Sequence, residues 1–226
     1  MKFLFFLSLL LKGALCYAQT NTVSIKLNTV YGALPIELGK KYPYKNDSVE
    51  ITTLKFYISG IQFYQDDNLI DETEKKHHLV DIENPSSLFI YHPGNKNKKF
   101  NRIHFRIGVD SITNVSGAMG GDLDPINGMY WTWQSGYINF KLEGSSKLCP
   151  SRKNQFTFHI GGYQYPNNSI QQVDLQINSK KEIVIDIDVL QLLNKIKLNE
   201  LYEVMSPNEK AMEMAKKIST VFHISK

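Results

Sequence analysis

The stretch GMYWTWQSGYINFKLEG, residues 128–144, contains both tryptophans of this 226-residue chain and predicts a β-strand. Side chains two residues apart leave an extended strand on the same face. The side chains expected on one face are Trp131, Trp133, Ser135 and Tyr137. Two neighbouring indoles can serve as hydrophobic core, as a stacking surface for a ligand, or as a site where the ring itself reacts.

The first eighteen residues have the composition of a secretory signal peptide. Lys2 precedes an apolar run from Phe3 to Leu11, and we expect cleavage after Ala18. The run is too short to anchor the chain across a bilayer. A lipid anchor on Cys16 is the alternative, but the bulky Leu15 stands where such signals carry a small residue.

The remaining chain, residues 19–226, is long enough for one domain with a substantial core. Loss of Lys2 and Lys12 with the signal lowers the formal net charge from +4 to +2. A charge so close to zero gives no electrostatic reason to expect a nucleic acid as partner. No later apolar stretch is long enough for a transmembrane segment.

Cysteine usage favours the bacterial periplasm or cell surface. Cys16 leaves with the signal, so Cys149 has no partner for an internal disulfide. Export without disulfides is typical of a bacterial envelope protein rather than of a small disulfide-stapled one. Cys149 is either a thiolate ligand for a soft metal or a free thiol in a loop.

Short segments rich in β-branched and aromatic residues predict an all-β fold, either a β-sandwich or a barrel, with mainly antiparallel strands. The predicted strands are 22–30, 49–64, 77–82, 102–109, 129–144, 155–163 and 182–190. No repeat or linker divides them, so residues 19–226 are expected to form a single domain.

Helices are predicted only near the C-terminus. Apolar residues recur at helical spacing in 189–198. The segment 206–218 begins with Ser206 as the predicted N-cap, and Glu209 completes a capping box. Residues 221–224 are expected to return as a terminal strand.

The six histidines form no compact ligand motif, so a metal site would have to assemble from distant strands. In QFTFHIGGY (155–163), Phe156, Phe158 and Ile160 share one face, and His159 must leave by the other. A lone histidine in this position is either solvated, hydrogen-bonded or a ligand.

The segment 108–128 is long, glycine-rich and acidic, which is common in functional loops. Asp110, Asp122 and Asp124 carry the oxygen ligands that calcium favours, although their spacing does not match an EF-hand. Aspartate is also an ordinary turn former. Calcium is therefore a candidate cofactor of this segment, and turn formation by the aspartates is the alternative.

Enzyme signatures are missing from the sequence. It contains no GxSxG motif, no P-loop and no dinucleotide fingerprint, and nothing places two carboxylates together as a glycosidase pair. We therefore expect that the chain is not an enzyme.

Four motifs together resemble the MbnP-like family of copper-binding proteins. They are VEITTLKFYISGIQFY (49–64), HHLVDIENPSSL (77–88), FRIGVDSITNVSGAMGGDLDPINGMYWTWQSGYINFKLEG (105–144) and FTFHIGGY (156–163). The likeness covers about residues 22 to 224, and Ile107 to Gly144 is its most specific part. The resemblance implies an exported β-rich protein, often encoded beside a di-haem cytochrome peroxidase-like partner.

In characterised relatives that partner oxidises one tryptophan to kynurenine, and histidines bind copper together with the modified residue. The resemblance therefore implies oxidation of Trp131 or Trp133, without choosing between them. Imidazole suits copper and thioether sulfur favours Cu(I). The implied metal ligands are, in order, His159, His78 and His223, with Met129 as a soft contact or an ordinary core residue.

Two alternatives stay open. Many relatives have a histidine near the mature N-terminus, whereas residues 26–42 contain none, so a scaffold without a complete copper site is one alternative. The other is a cell-surface module that binds carbohydrate or protein without metal. Its stacking surface would consist of Trp131, Trp133, Tyr137 and Tyr163.

Overall fold

The computed structural model describes residues 22–74, 76–93, 98–133, 136–178 and 182–225; the predicted signal peptide and Cys16 lie outside them. The strands are β1 (Thr22–Tyr31), β2 (Leu34–Pro35), β3 (Lys41–Tyr44), β4 (Asp47–Gln65), β5 (Asn68–Glu72), β6 (His77–Asp81), β7 (Phe89–Pro93), β8 (Arg102–Ile107), β9 (Tyr130–Trp131), β10 (Gly136–Ser146), β11 (Gln155–Gly161), β12 (Tyr163–Gln164), β13 (Asn167–Asn168), β14 (Gln171–Gln176), β15 (Glu182–Asp188), β16 (Glu203–Val204) and β17 (Phe222–Ile224). The helices are α1 (Ser111–Val115), α2 (Val189–Lys195) and α3 (Glu209–Ser219). This strand-rich composition confirms the all-β prediction.

β1 is the central strand of the smaller sheet. It pairs in parallel with β15, from Ser24 opposite Glu182 to Val30 opposite Asp188, and β17 extends the sheet beyond β15. β7 and then β2 pair with the other edge of β1 in antiparallel orientation. The terminal strand expected from the C-terminal sequence is therefore confirmed as β17.

β4 organises the larger sheet. Along one edge it pairs first with β10 and then with β8, and along the other with β3, β6 and β5. β11 lies beyond β10, and β14 lies beyond β8. The strand bends at Gly60, whose φ of 57° favours glycine, and the β4–β8 register shifts between Ser59 and Gln62.

The main core lies between the two sheets. Alternating side chains of β1 and β15 are buried there against one face of the larger sheet. α2 packs against β1, and α3 packs against β11 and β14. The core-facing residues of α3 are Ala211, Met214, Ala215 and Ile218. None of the helices in the described ranges has the length and apolar character needed to cross a membrane.

α3 begins later than the sequence predicts. The Asn208 side chain accepts a hydrogen bond from the Ala211 amide at 2.9 Å, so Asn208 and not Ser206 is the N-cap. Ser206 Oγ instead accepts a hydrogen bond from Asn208 Nδ2 at 3.2 Å. The predicted capping box is therefore wrong, because Ser206 supports the side chain that caps the helix.

A second, smaller core covers the outer face of the larger sheet. Tyr57 leaves β4 on the side opposite Phe56 and is fully buried in this core. The other members are Leu79, Val109, Leu123, Met129, Trp131, Tyr137 and Ile138. The segment 108–128 packs over it and contains α1 and two 3₁₀ turns, so it has more regular structure than the sequence suggested.

Candidate functional site

The two tryptophans lie in a tight hairpin rather than in one continuous strand. Trp131 is the last residue of β9 and pairs with Gly136, the first residue of β10. The chain turns at Trp133, and Ser135 lies outside the described residues. The predicted shared strand face is therefore wrong, because the strand ends directly after Trp131.

The turn leaves the two indoles in contact but in different surroundings. Their ring centroids are 5.7 Å apart, and the ring planes are tilted by 45°. Trp131 is 6% exposed and Trp133 is 65% exposed. Trp131 therefore belongs to the second core, and Trp133 is accessible to a large partner molecule.

The Trp131 ring packs directly on the backbone of β11. A Cβ atom at Gly161 would lie 2.6 Å from Trp131 Cζ3 and 2.6 Å from the Tyr137 carbonyl oxygen. Only glycine leaves room for the ring at this position. His159 and Gly161 are two residues apart in β11, so the His159 side chain leaves the strand on the face that Trp131 covers.

His159 forms a short hydrogen bond with a carboxylate on the neighbouring strand. His159 Nε2 lies 2.6 Å from Glu143 Oε1 of β10. The other carboxylate oxygen of Glu143 accepts a hydrogen bond from Thr53 Oγ1 at 2.9 Å, and Lys141 Nζ lies 3.7 Å from Oε1. His159 is 8% exposed, so its imidazole is largely removed from water.

These surroundings favour a neutral imidazole beside an ionised carboxylate. Burial lowers the pKa of His159, although the hydrogen bond to Glu143 opposes this shift. Burial raises the pKa of Glu143, but the hydrogen bonds from His159 and Thr53 outweigh it, and the net pKa is below its usual value. The pair therefore has the charge state of a histidine that can act as a nitrogen ligand.

The other predicted ligands do not join His159. His78 lies on β6, which β10 and β4 separate from β11; three strand spacings amount to about 14 Å. His78 Nε2 is 2.6 Å from the Ser87 carbonyl oxygen. His223 lies in the smaller sheet, 3.8 Å from Asp186, and Met129 is fully buried in the second core.

Each of the six histidines lies near a carboxylate. The histidine–acid pairs are His77–Asp110, His78–Asp122, His92–Asp71, His104–Asp174, His159–Glu143 and His223–Asp186. Across the described ranges, no three His, Cys, Asp or Glu residues come close enough together to hold a metal ion. In the described part of the chain, the histidines that could bind a metal therefore occur in pairs with one carboxylate each.

The three aspartates considered for calcium each accept a backbone hydrogen bond. Asp110 caps α1 through the Thr113 amide, and Asp124 accepts from the Ile126 amide at 2.9 Å. Asp122 Oδ2 accepts from the Leu79 amide at 2.8 Å. The Asp110 and Asp124 contacts lie within the segment 108–128, whereas the Asp122 contact attaches the segment to β6. Calcium binding stays a prediction.

A cleft of about 140 Å³ opens beside the buried indole. It is lined by Trp131, Gly136, Gly162, Tyr163, Gln164, Tyr165, Asn167 and Pro207. Tyr165 at its edge is 97% exposed, whereas Tyr137 is 1% exposed. Tyr137 donates a hydrogen bond to the Leu123 carbonyl oxygen and is a buried member of the second core.

Glu143 was not predicted as a member of the site. It lies on the polar face of a predicted strand, as His159 does, and both positions follow from alternation in the sequence. Their proximity depends on the register of β10 and β11, which pairs Lys141 with His159 and Glu143 with Thr157. That register cannot be derived from either strand alone.

Comparisons with known proteins agree with this fold. A family model described as MbnP matches residues 20–206. Among solved structures, the chain is similar to MbnP from Methylosinus trichosporium, with a TM-score of 0.56 and 12% identity, over 76% of this chain and 77% of that chain. At this identity the likeness shows the fold alone. No curated protein sequence matches the chain.

Proposed function

Because the chain belongs to the MbnP family, we propose that it is an exported protein that binds copper through His159 and an oxidised tryptophan. The observation that carries this proposal is the indole pair: accessible Trp133 contacts Trp131, which packs on the strand face from which His159 emerges. Copper acquisition or handling outside the cytoplasm is the corresponding role.

Trp133 is the residue we assign to oxidation, since it is 65% exposed and Trp131 is 6% exposed. The oxidant is hydrogen peroxide, activated at a haem of the peroxidase-like partner. Two peroxide molecules each transfer one oxygen atom to the indole, its C2–C3 bond breaks, and two water molecules leave. Hydrolysis then releases formate and leaves the aryl amine and the ketone of kynurenine.

The described residues fit one imidazole ligand for copper. Neutral imidazole suits this metal, and His159 combines a low pKa, due mainly to burial, with a carboxylate on Nε2. Metal-binding histidines usually donate their other ring N–H to such an acceptor. Among the described residues, no third His, Cys, Asp or Glu lies close enough to this pair to hold a metal ion with it. We therefore assign a further metal-binding group to the kynurenine formed from Trp133.

The test is to produce the full chain with and without the haem partner of its native host. Intact-mass analysis should show kynurenine only when the partner is present, and copper should co-purify with the modified protein. Trp133→Phe should abolish the mass change, whereas Trp131→Phe should retain it. Unmodified protein from the native host, without copper, would contradict the proposal.

The histidine is tested with a matched pair of variants. His159→Ala should lower copper affinity at least about tenfold, in line with the loss of a metal ligand or its support. His104→Ala is the control, because His104 also lies on the larger sheet and pairs with a carboxylate, 3.1 Å from Asp174. Equal copper affinities of the two variants would exclude His159 as a ligand.

A carbohydrate-binding module is the second candidate. Its support is the cleft beside Trp131, which exposed Tyr165 borders, together with exposed Trp133. Aromatic faces of this kind stack on apolar surfaces of ligands that also hydrogen-bond. Glycan binding that is lost in Trp133→Ala and unaffected by a copper chelator would favour this function over copper handling.

A further inference from the structure

Glu143 and His159 form a diagonal pair on the outer face of the larger sheet. Lys141 lies directly opposite His159 in the β10–β11 ladder, and Glu143 lies opposite Thr157. The Glu143 side chain therefore reaches across to the neighbouring register position to place Oε1 2.6 Å from His159 Nε2. Thr53 on β4 holds the second carboxylate oxygen from the opposite side.

This arrangement determines which ring nitrogen carries the proton. An ionised carboxylate only accepts hydrogen bonds, so the Nε2 atom of His159 must carry the hydrogen that it donates to Glu143. In a neutral imidazole the other nitrogen, Nδ1, then has a free lone pair. Within the described part of the chain, Nδ1 of His159 has no hydrogen-bond partner.

We propose that Glu143 is a positioning residue that holds His159 as the Nε2–H tautomer and thereby presents Nδ1 as the atom that ligates copper. The proposal rests on the proposed function, in which His159 is the copper ligand. Carboxylates that accept the second N–H of a ligating histidine fix the orientation of its ring and raise its basicity. Glu143 itself contacts no metal in this arrangement.

The surroundings of Glu143 favour this role over that of a simple surface ion pair. Glu143 lies on β10, an internal strand of the larger sheet that has β4 on one side and β11 on the other. The cation nearest to it, Lys141, lies 3.7 Å away and also donates to the Gly128 carbonyl oxygen at 3.3 Å. The shortest contact of the carboxylate is therefore the one to His159.

The first test measures the tautomer without copper. Ring nitrogen-15 chemical shifts of His159, recorded at neutral pH on the metal-free full chain, should show the Nε2–H form. In Glu143→Gln this preference should weaken, because an amide can either accept from Nε2 or donate to it. A predominant Nδ1–H form in the unsubstituted protein would overturn the proposal, whatever the copper affinity.

The second test measures affinity for Cu(I) against a competing chelator, using protein modified by the haem partner. Glu143→Gln should lower the affinity about 10–100-fold, as expected for loss of a supporting acceptor. The control is Glu83→Gln, which removes an acidic group paired with Lys55 at 3.5 Å and should change the affinity less than about twofold. Circular dichroism should show both variants folded.

The two tests separate failure of the proposed function from failure of this inference. If the unsubstituted, modified protein binds no copper, the proposed function is wrong, and Nδ1 of His159 is then not a copper ligand either. If that protein binds copper and Glu143→Gln binds it equally well, the function stands and the positioning role of Glu143 is wrong.

Discussion

A single missing side chain makes room for the buried indole of the candidate site. The prediction concerns the substitution Gly161→Ala. Its Cβ atom would lie 2.6 Å from both Trp131 Cζ3 and the Tyr137 carbonyl oxygen. Because the strand backbone cannot move away without breaking its ladder, we expect a loss of about 1–3 kcal/mol in the free energy of unfolding. Denaturant unfolding measures this loss.

The matched control is Gly120→Ala. Nothing lies within 4 Å of a Cβ built at Gly120, and its φ of −91° is open to any residue. Its free energy of unfolding should stay within about 0.5 kcal/mol of the unsubstituted value. Equal losses in Gly161→Ala and Gly120→Ala would show that Trp131 does not need close contact with β11.

Half of the candidate site could be predicted at the residue scale. Alternation in FTFHIGGY places His159 opposite the apolar stripe, and the structure confirms that orientation. The different exposure of Trp131 and Trp133 could not be predicted, since it depends on where β9 ends. The face from which a single side chain leaves its strand can be predicted from alternation in the sequence. Contacts between side chains on two strands cannot, because they depend on the register of the strands.

At the scale of elements, the start of α3 gives a test. Asn208→Ala removes the acceptor of the Ala211 amide, so we expect a loss of about 0.5–2 kcal/mol in the free energy of unfolding. Ser206→Ala should cost less, because Ser206 Oγ only accepts a hydrogen bond from the Asn208 side chain. Thermal unfolding of both variants should rank Asn208→Ala as the less stable protein. The reverse order would restore Ser206 as the cap.

Long, alternating strands were predictable and short ones were not. The segment 49–64 was predicted as one strand, and it lies within β4, Asp47–Gln65. β9, β12, β13 and β16 have two residues each, which is too short for any periodic pattern. α1 has five residues, fewer than two turns. It forms because Asp110 caps it and because its buried Asn114 side chain accepts a hydrogen bond from the Tyr137 amide.

At the scale of the whole molecule, Asp110 connects the segment 108–128 to the larger sheet. Its carboxylate accepts hydrogen bonds from the Thr113 amide at 2.9 Å and from the Thr113 hydroxyl at 3.0 Å, and it lies 2.8 Å from His77 Nε2. Burial raises the pKa of Asp110, but these hydrogen bonds outweigh it and hold the pKa below its usual value.

The predicted effect of Asp110→Asn therefore depends on pH. A carboxyl group with a lowered pKa in the folded state stabilises the fold above its unfolded pKa, about 3.9 for Asp. The unsubstituted protein should thus exceed the variant in unfolding free energy at neutral pH, and the difference should shrink as the pH falls below about 4. Urea unfolding at several pH values measures it.

Asp124→Asn is the control, since Asp124 caps only the second 3₁₀ turn. We expect its difference from the unsubstituted protein to change less over the same pH range. A pH-independent difference for Asp110→Asn would show that its ionised form does not attach the segment 108–128 to the sheet.

The parallel pairing of β1 with β15 has a consequence for how the chain matures. The strand that completes the centre of the smaller sheet is more than a hundred residues downstream of its neighbour, at Glu182–Asp188. Such distant contacts form slowly, and here they cannot form before most of the polypeptide has left the ribosome. We therefore expect the smaller sheet to assemble late, after the strands from β1 to β14 have already been synthesised.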